Sequence, residues 1–129
     1  MLKRESKIHY FNNIDLANFH LAPPGSDKCD YGFSVDMSDC ENAVLAFAVA
    51  AGSKPGRSLK VGSGGTCMDG SWGQVPLGCS AQSGGDWTAH YKTNIDTGHG
   101  CIAALYQLVC TNEGIVYLHY WLHRKHHNM

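Results

Sequence analysis

Residues 70–94 read GSWGQVPLGCSAQSGGDWTAHYKTN, and the reading of this stretch decides the fold. Small and turn-forming residues set a tightly turned path, while Trp72 and Trp87 bring apolar area for packing. Trp87, Ala89, Tyr91 and Thr93 alternate with Thr88, His90 and Lys92, the period of a half-buried strand. Gly84-Gly85 supplies the turn into that strand. No catalytic signature lies in the stretch.

Upstream, the run from Asp39 to Ala51 is alanine-rich and free of helix breakers. Ser38 and Glu41 form an S-x-x-E capping box, and Gly52 is a natural stop. Cys40, Ala43, Val44, Phe47 and Ala51 share one face at helical spacing, so this is an amphipathic helix suited to close packing on a sheet. Between helix and stretch, Arg57–Gly62 (RSLKVG) reads as a short strand with Leu59 and Val61 inward. Downstream, Cys101–Cys110 (CIAALYQLVC) is apolar and fits either a helix or a buried strand, with strand the preferred reading for Leu105–Thr111. The fold class that follows is α+β, with one amphipathic helix on a small antiparallel sheet, loop-rich and disulfide-stapled.

Three segments result. Residues 1–26 read as an extended N-terminal arm ending in the Pro23-Pro24-Gly25 turn. Residues 27–113 form the stapled domain, and 114–129 form an aromatic, His-rich docking tail. With 129 residues, 43% hydrophobic and 16% charged, the chain suits one compact domain.

Six cysteines occur and no two are spaced as C-x-x-C, so a disulfide framework is a better reading than zinc. Spacing alone leaves the pairing open. Disulfides persist outside the cytosol, which points to secretion or an oxidising organelle lumen. Met1–Asn13 has a basic start but no apolar signal core, so a leader is expected to be missing or import to follow another route. No stretch reaches the roughly 18 apolar residues that would span a bilayer. Ten Lys and Arg against 11 Asp and Glu leave no electrostatic footprint for nucleic acid.

Candidate chemistry is sparse. Asp27, Asp30, Asp36, Asp39 and Glu41 could offer oxygens to a hard cation, but their spacing matches no loop motif and a solvated acidic loop is preferred. Gly62-Ser63-Gly64-Gly65-Thr66 lacks the Gly-Lys-Ser/Thr ending of a phosphate loop and reads as a hairpin loop. Ser80, His90 and Asp86 can be drawn as a hydrolytic trio, yet the G-x-S-x-G elbow is absent and no catalytic residue is assigned. His119, His123 and His127 recur at helical spacing and could bind a transition metal; no resident cofactor is expected. Tyr117, Tyr120 and Trp121, followed by Arg124 and Lys125, suit a membrane interface or a partner groove. Trp72, Trp87 and Tyr91 could form a stacking platform for carbohydrate.

The set Asp39-Cys40-Glu41-Asn42-Ala43, Gly70-Ser71-Trp72, Val75-Pro76-Leu77-Gly78-Cys79-Ser80, Gly84-Gly85-Asp86-Trp87 and Ala89-His90-Tyr91, closing on Cys110, resembles a cysteine-rich module of unicellular marine algae of the dinoflagellate type. The likeness spans about residues 29–111, with Cys67 and Cys101 outside its minimal pattern. It implies a small stapled extracytoplasmic domain without established catalytic residues. With the elements above, it implies the bridges Cys29–Cys110, Cys40–Cys79 and Cys67–Cys101. The expected function is a non-enzymatic interaction module. It would be an accessory or structural subunit with protein partners in a larger algal assembly, such as a photosynthetic complex at a membrane edge facing a lumen. The alternatives are a secreted carbohydrate-binding module and, less favoured, a small hydrolase.

Overall fold

The computed structural model describes residues 16–94 and 100–112. Strand β1 (Phe19–Leu21) is followed by helix α1 (Met37–Ala50), β2 (Lys60–Gly62), β3 (Gly78–Ala81), β4 (Ala89–Lys92) and β5 (Gln107–Thr111). Single 3-10 turns occupy Leu16–Asn18 and Trp72–Gln74. The five strands form one sheet in the order β1, β5, β3, β4, β2. The fold is therefore α+β with long loops, as the periodicities imply.

The sheet is mixed rather than antiparallel. β4 pairs antiparallel with β3, and β3 and β1 pair antiparallel with β5, but β2 runs parallel to β4 with Val61 opposite Tyr91. The chain from residue 63 to 88, which includes β3, provides the long connection that a parallel pair requires. β1 comes from the segment read as an arm: Phe19, His20 and Leu21 pair with Thr111, Cys110 and Val109. Phe33–Val35 flanks the same strand, with Val35 N–H donating to Val109 O and Thr111 N–H to Phe33 O. Ser34 Oγ in turn accepts from Cys79 N–H at 3.0 Å, linking this segment to β3.

Helix α1 begins two residues before the expected start. Asp36 is the N-cap, and no side chain closes the first turn. The expected Ser38/Glu41 capping box does not form, because Glu41 Oε2 accepts from Leu59 N–H at 2.9 Å and so anchors the approach to β2. At the other end Gly52 takes φ +79°; its N–H donates to Val49 O and Ser53 N–H donates to Ala48 O. That is the left-handed C-terminal closure for which glycine carries no steric cost.

α1 packs across β3, β4 and β5. Val35, Cys40, Ala43, Val44, Cys79, Ala81, Ala89 and Val109 form the principal core, with Phe47, Leu59, Trp87 and Tyr91 against it. Each fully buried large aliphatic side chain here contributes about 1.5–3 kcal/mol. Val61 was expected inward but is 53% exposed, because β2 lies at the sheet margin beyond the helix.

The opposite sheet face is covered too, which the alternating pattern of β4 does not suggest. His90 and Lys92, expected on a polar outer face, are 6% and 4% exposed. Two loops cover them, residues 66–76 and 101–106, joined by Cys67–Cys101 and by Ala103 N–H donating to Gln74 O. Cys40–Cys79 ties helix to sheet, and Cys29–Cys110 ties the acidic loop to β5. These are the three pairs implied above, and no cysteine is free. Such bridges persist in an oxidising, extracytoplasmic environment. Among the described residues no helix is long and apolar enough to cross a membrane.

Candidate functional site

Lys92 fixes the geometry beneath the covering loop. Its ammonium donates to Trp72 O at 2.8 Å and Val75 O at 3.2 Å, so the loop's carbonyls receive a buried cation. Trp72 is thereby held over the sheet, its ring edge-on to His90 with centroids 5.4 Å apart. His90 meets Tyr106 the same way at 5.2 Å. Trp72, Val75, His90 and Tyr106, with Arg57 and Lys60 from the approach to β2, line a cavity of about 160 Å³.

The electrostatics of this cavity follow from its hydrogen bonds. Arg57 Nε donates to Asp86 Oδ2 at 2.8 Å, and its Nη2 donates to Gln82 Oε1 at 3.0 Å. This pairing holds the Asp86 carboxyl well below the usual carboxylate range. Asp86 Oδ1 also accepts from Thr88 N–H, which shapes the turn before β4. His90 Nδ1 lies 3.2 Å from Thr88 O, and a carbonyl only accepts, so Nδ1 carries the proton. Burial lowers the His90 pKa, which favours the neutral ring with an unprotonated Nε2. Burial raises the Tyr106 pKa, which keeps its hydroxyl protonated.

The hydrolytic trio is not assembled. Ser80 and His90 are cross-strand partners on one sheet face, yet Ser80 Oγ is buried without a hydrogen-bond partner among the described residues. Asp86 engages Arg57 rather than His90, whose Nδ1 is oriented by backbone instead. Trp72, Trp87 and Tyr91 form no common platform either. Trp87 and Tyr91 pack on the helix-side core, whereas Trp72 stands by His90 on the other face. The reason is strand periodicity: neighbouring residues His90 and Tyr91 point to opposite sides.

The acidic run disperses. Asp36 caps α1, Glu41 holds Leu59, and Asp30 Oδ1 lies 2.7 Å from His20 Nε2. His20 Nδ1 faces Asn112 Oδ1, and Tyr31 stacks on the imidazole at 4.0 Å. His20, Asp30 and Cys110 are close enough to suggest a metal site, but the Cys110 sulfur is bridged to Cys29. The cluster acts as a clasp between β1, the acidic loop and the end of β5. Tyr117, Tyr120, Trp121, His119, His123 and His127 lie outside the described residues.

A second concavity, an open groove of about 670 Å³, is lined by Ser34, Leu77, Gly78, Tyr91, Lys92, Thr93 and Asn94. Tyr31, Phe33, Met37 and Leu77 are exposed at 55%, 66%, 44% and 41%. Each lies within three residues along the chain of the Ser34–Gly78 neighbour pair that lines this groove.

Arg57, Lys60 and Tyr106 were not singled out by sequence. Tyr106 was one aromatic within an apolar run, and the two cations looked like ordinary strand flanks. The parallel β2–β4 pairing brings Lys60 beside His90 and Arg57 close by, and the covering loop 101–106 brings Tyr106. No family model, curated protein or solved structure matches the chain.

Proposed function

We propose that this chain is a non-catalytic interaction module, an accessory or structural subunit of a larger assembly in an extracytoplasmic, oxidising space. The observation that carries the reading is the open groove lined by Leu77, with Phe33 and Met37 exposed within three residues along the chain of its lining residue Ser34. Large apolar side chains left exposed near an open groove favour an interaction site, because leaving them in water is costly. The occupant is a protein partner that offers complementary apolar side chains. The resemblance to cysteine-rich modules of unicellular marine algae, and the Tyr117, Tyr120 and Trp121 tail, favour a photosynthetic or other lumen-facing assembly at a membrane edge. The unassembled Ser80, His90 and Asp86 trio supports a role without hydrolysis.

The test is a Phe33→Asp, Leu77→Asp double variant expressed beside the parent chain in the native host. Both positions are exposed, so the fold is retained. Loss of co-migration with the assembly supports the reading; unchanged co-migration overturns it.

A further inference from the structure

The cavity beside His90 is lined by two polar side chains that keep hydrogen-bonding capacity unused among the described residues. Tyr106 is 7% exposed, and its hydroxyl has no hydrogen-bond partner among the described residues. His90 is 6% exposed and spends its Nδ1 proton on Thr88 O, and no described residue donates to Nε2. Neither the Tyr106 hydroxyl nor His90 Nε2 is sealed from solvent in the way Ser80 Oγ and Thr88 Oγ1 are, so both are open to a ligand that enters the cavity. One is a donor and the other an acceptor. A single hydroxyl group satisfies both kinds of demand.

The charges at the same cavity add a second requirement. Arg57 is balanced by Asp86, but Lys60 makes no ion pair among the described residues. Arg57 also keeps its Nη1 hydrogens free of described protein acceptors, since its bonds use Nε and Nη2. An anion therefore gains both a net charge and a fork of donors. Volume limits the rest. About 160 Å³ is a few times the roughly 30 Å³ a water occupies, enough for five or six non-hydrogen atoms.

We infer that the cavity lined by Arg57, Lys60, Trp72, His90 and Tyr106 binds a small hydroxy-carboxylate. The ligand hydroxyl donates to His90 Nε2, the Tyr106 hydroxyl donates to the ligand, and the carboxylate faces Lys60 and Arg57. Trp72 closes the apolar side. The site is separate from the Phe33–Leu77 rim, so binding here does not depend on assembly.

Glycolate is the probe, with acetate as the same anion lacking the hydroxyl. Titration followed through the His90 and Tyr106 ring resonances is expected to saturate with glycolate. Acetate should bind about tenfold more weakly, the size of one lost hydrogen bond in a buried site. Tyr106→Phe keeps the ring and Lys60→Ala alters an exposed side chain, so both variants fold. Each should weaken glycolate by about three- to tenfold. No saturable shift, equal binding of acetate, or unchanged affinity in both variants overturns the proposal.

Discussion

The indole of Trp72 rests directly on the α-carbon of Gly62: a β-carbon at position 62 would sit 2.2 Å from Trp72 Cε2. Gly62 ends β2, and Trp72 opens the loop that covers His90, so this contact sets how closely the covering layer approaches the sheet. Gly62→Ala should expel the indole from its seat. The expected result is red-shifted tryptophan fluorescence and a destabilisation of about 1–3 kcal/mol, the usual cost of overpacking. An unshifted spectrum with parental stability contradicts this packing.

Ser80 is the next test. Its hydroxyl is fully buried with no hydrogen-bond partner among the described residues, and such a group carries an unrecovered desolvation cost. Ser80→Ala should therefore raise stability by about 1 kcal/mol in denaturant unfolding. A clear loss of stability would mean the hydroxyl is bonded. A nucleophile would instead show itself as a hydrolytic activity that the substitution abolishes.

The pH dependence of stability reads the burial of His90. Its folded pKa is lowered, so below the unfolded value of about 6.5 the unfolded chain takes up a proton that the folded chain resists. Stability should fall as pH drops from about 6.5 toward the folded value. Asp86 and Asp30 are also lowered, but their contributions are present above about 4 and are lost only in stronger acid. His90→Gln should flatten the slope below about pH 6.5. Identical slopes in parent and variant would place His90 in water.

The three bridges differ in exposure. Cys40 and Cys79 are fully buried, whereas Cys67 is exposed and Cys101 partly so. Mild reduction followed by alkylation should label Cys67 and Cys101 first. Replacing Cys40 and Cys79 by serine should cost the most, because about 2–5 kcal/mol from the bridge is joined by two buried hydroxyls. Equal melting temperatures for the C40S/C79S and C67S/C101S variants would contradict that order.

What was legible in the sequence is what local pattern determines. The alanine-rich run, Gly52 and the alternation of 87–93 are local signals, and they locate α1 and β4 to within two residues. The start of the helix was misread because Glu41 found a tertiary partner, Leu59 N–H, in place of a local one. His90 and Lys92 looked solvent-facing because alternation reports one covered face. It is blind to a second cover made from loops and a disulfide. The cavity is the least legible feature. It needs Lys60 beside His90 through a parallel pairing, and Tyr106 delivered by the covering loop that leads into β5. None of these neighbours is near in sequence.

The central claim is that the chain works as a subunit held through its exposed rim. Sedimentation of a gentle extract from cells that make the protein tests it most directly. The account expects the chain to travel with a large assembly and to be released when Phe33 and Leu77 are both aspartate. Migration of the parent chain alone, near 14.0 kDa, would contradict it.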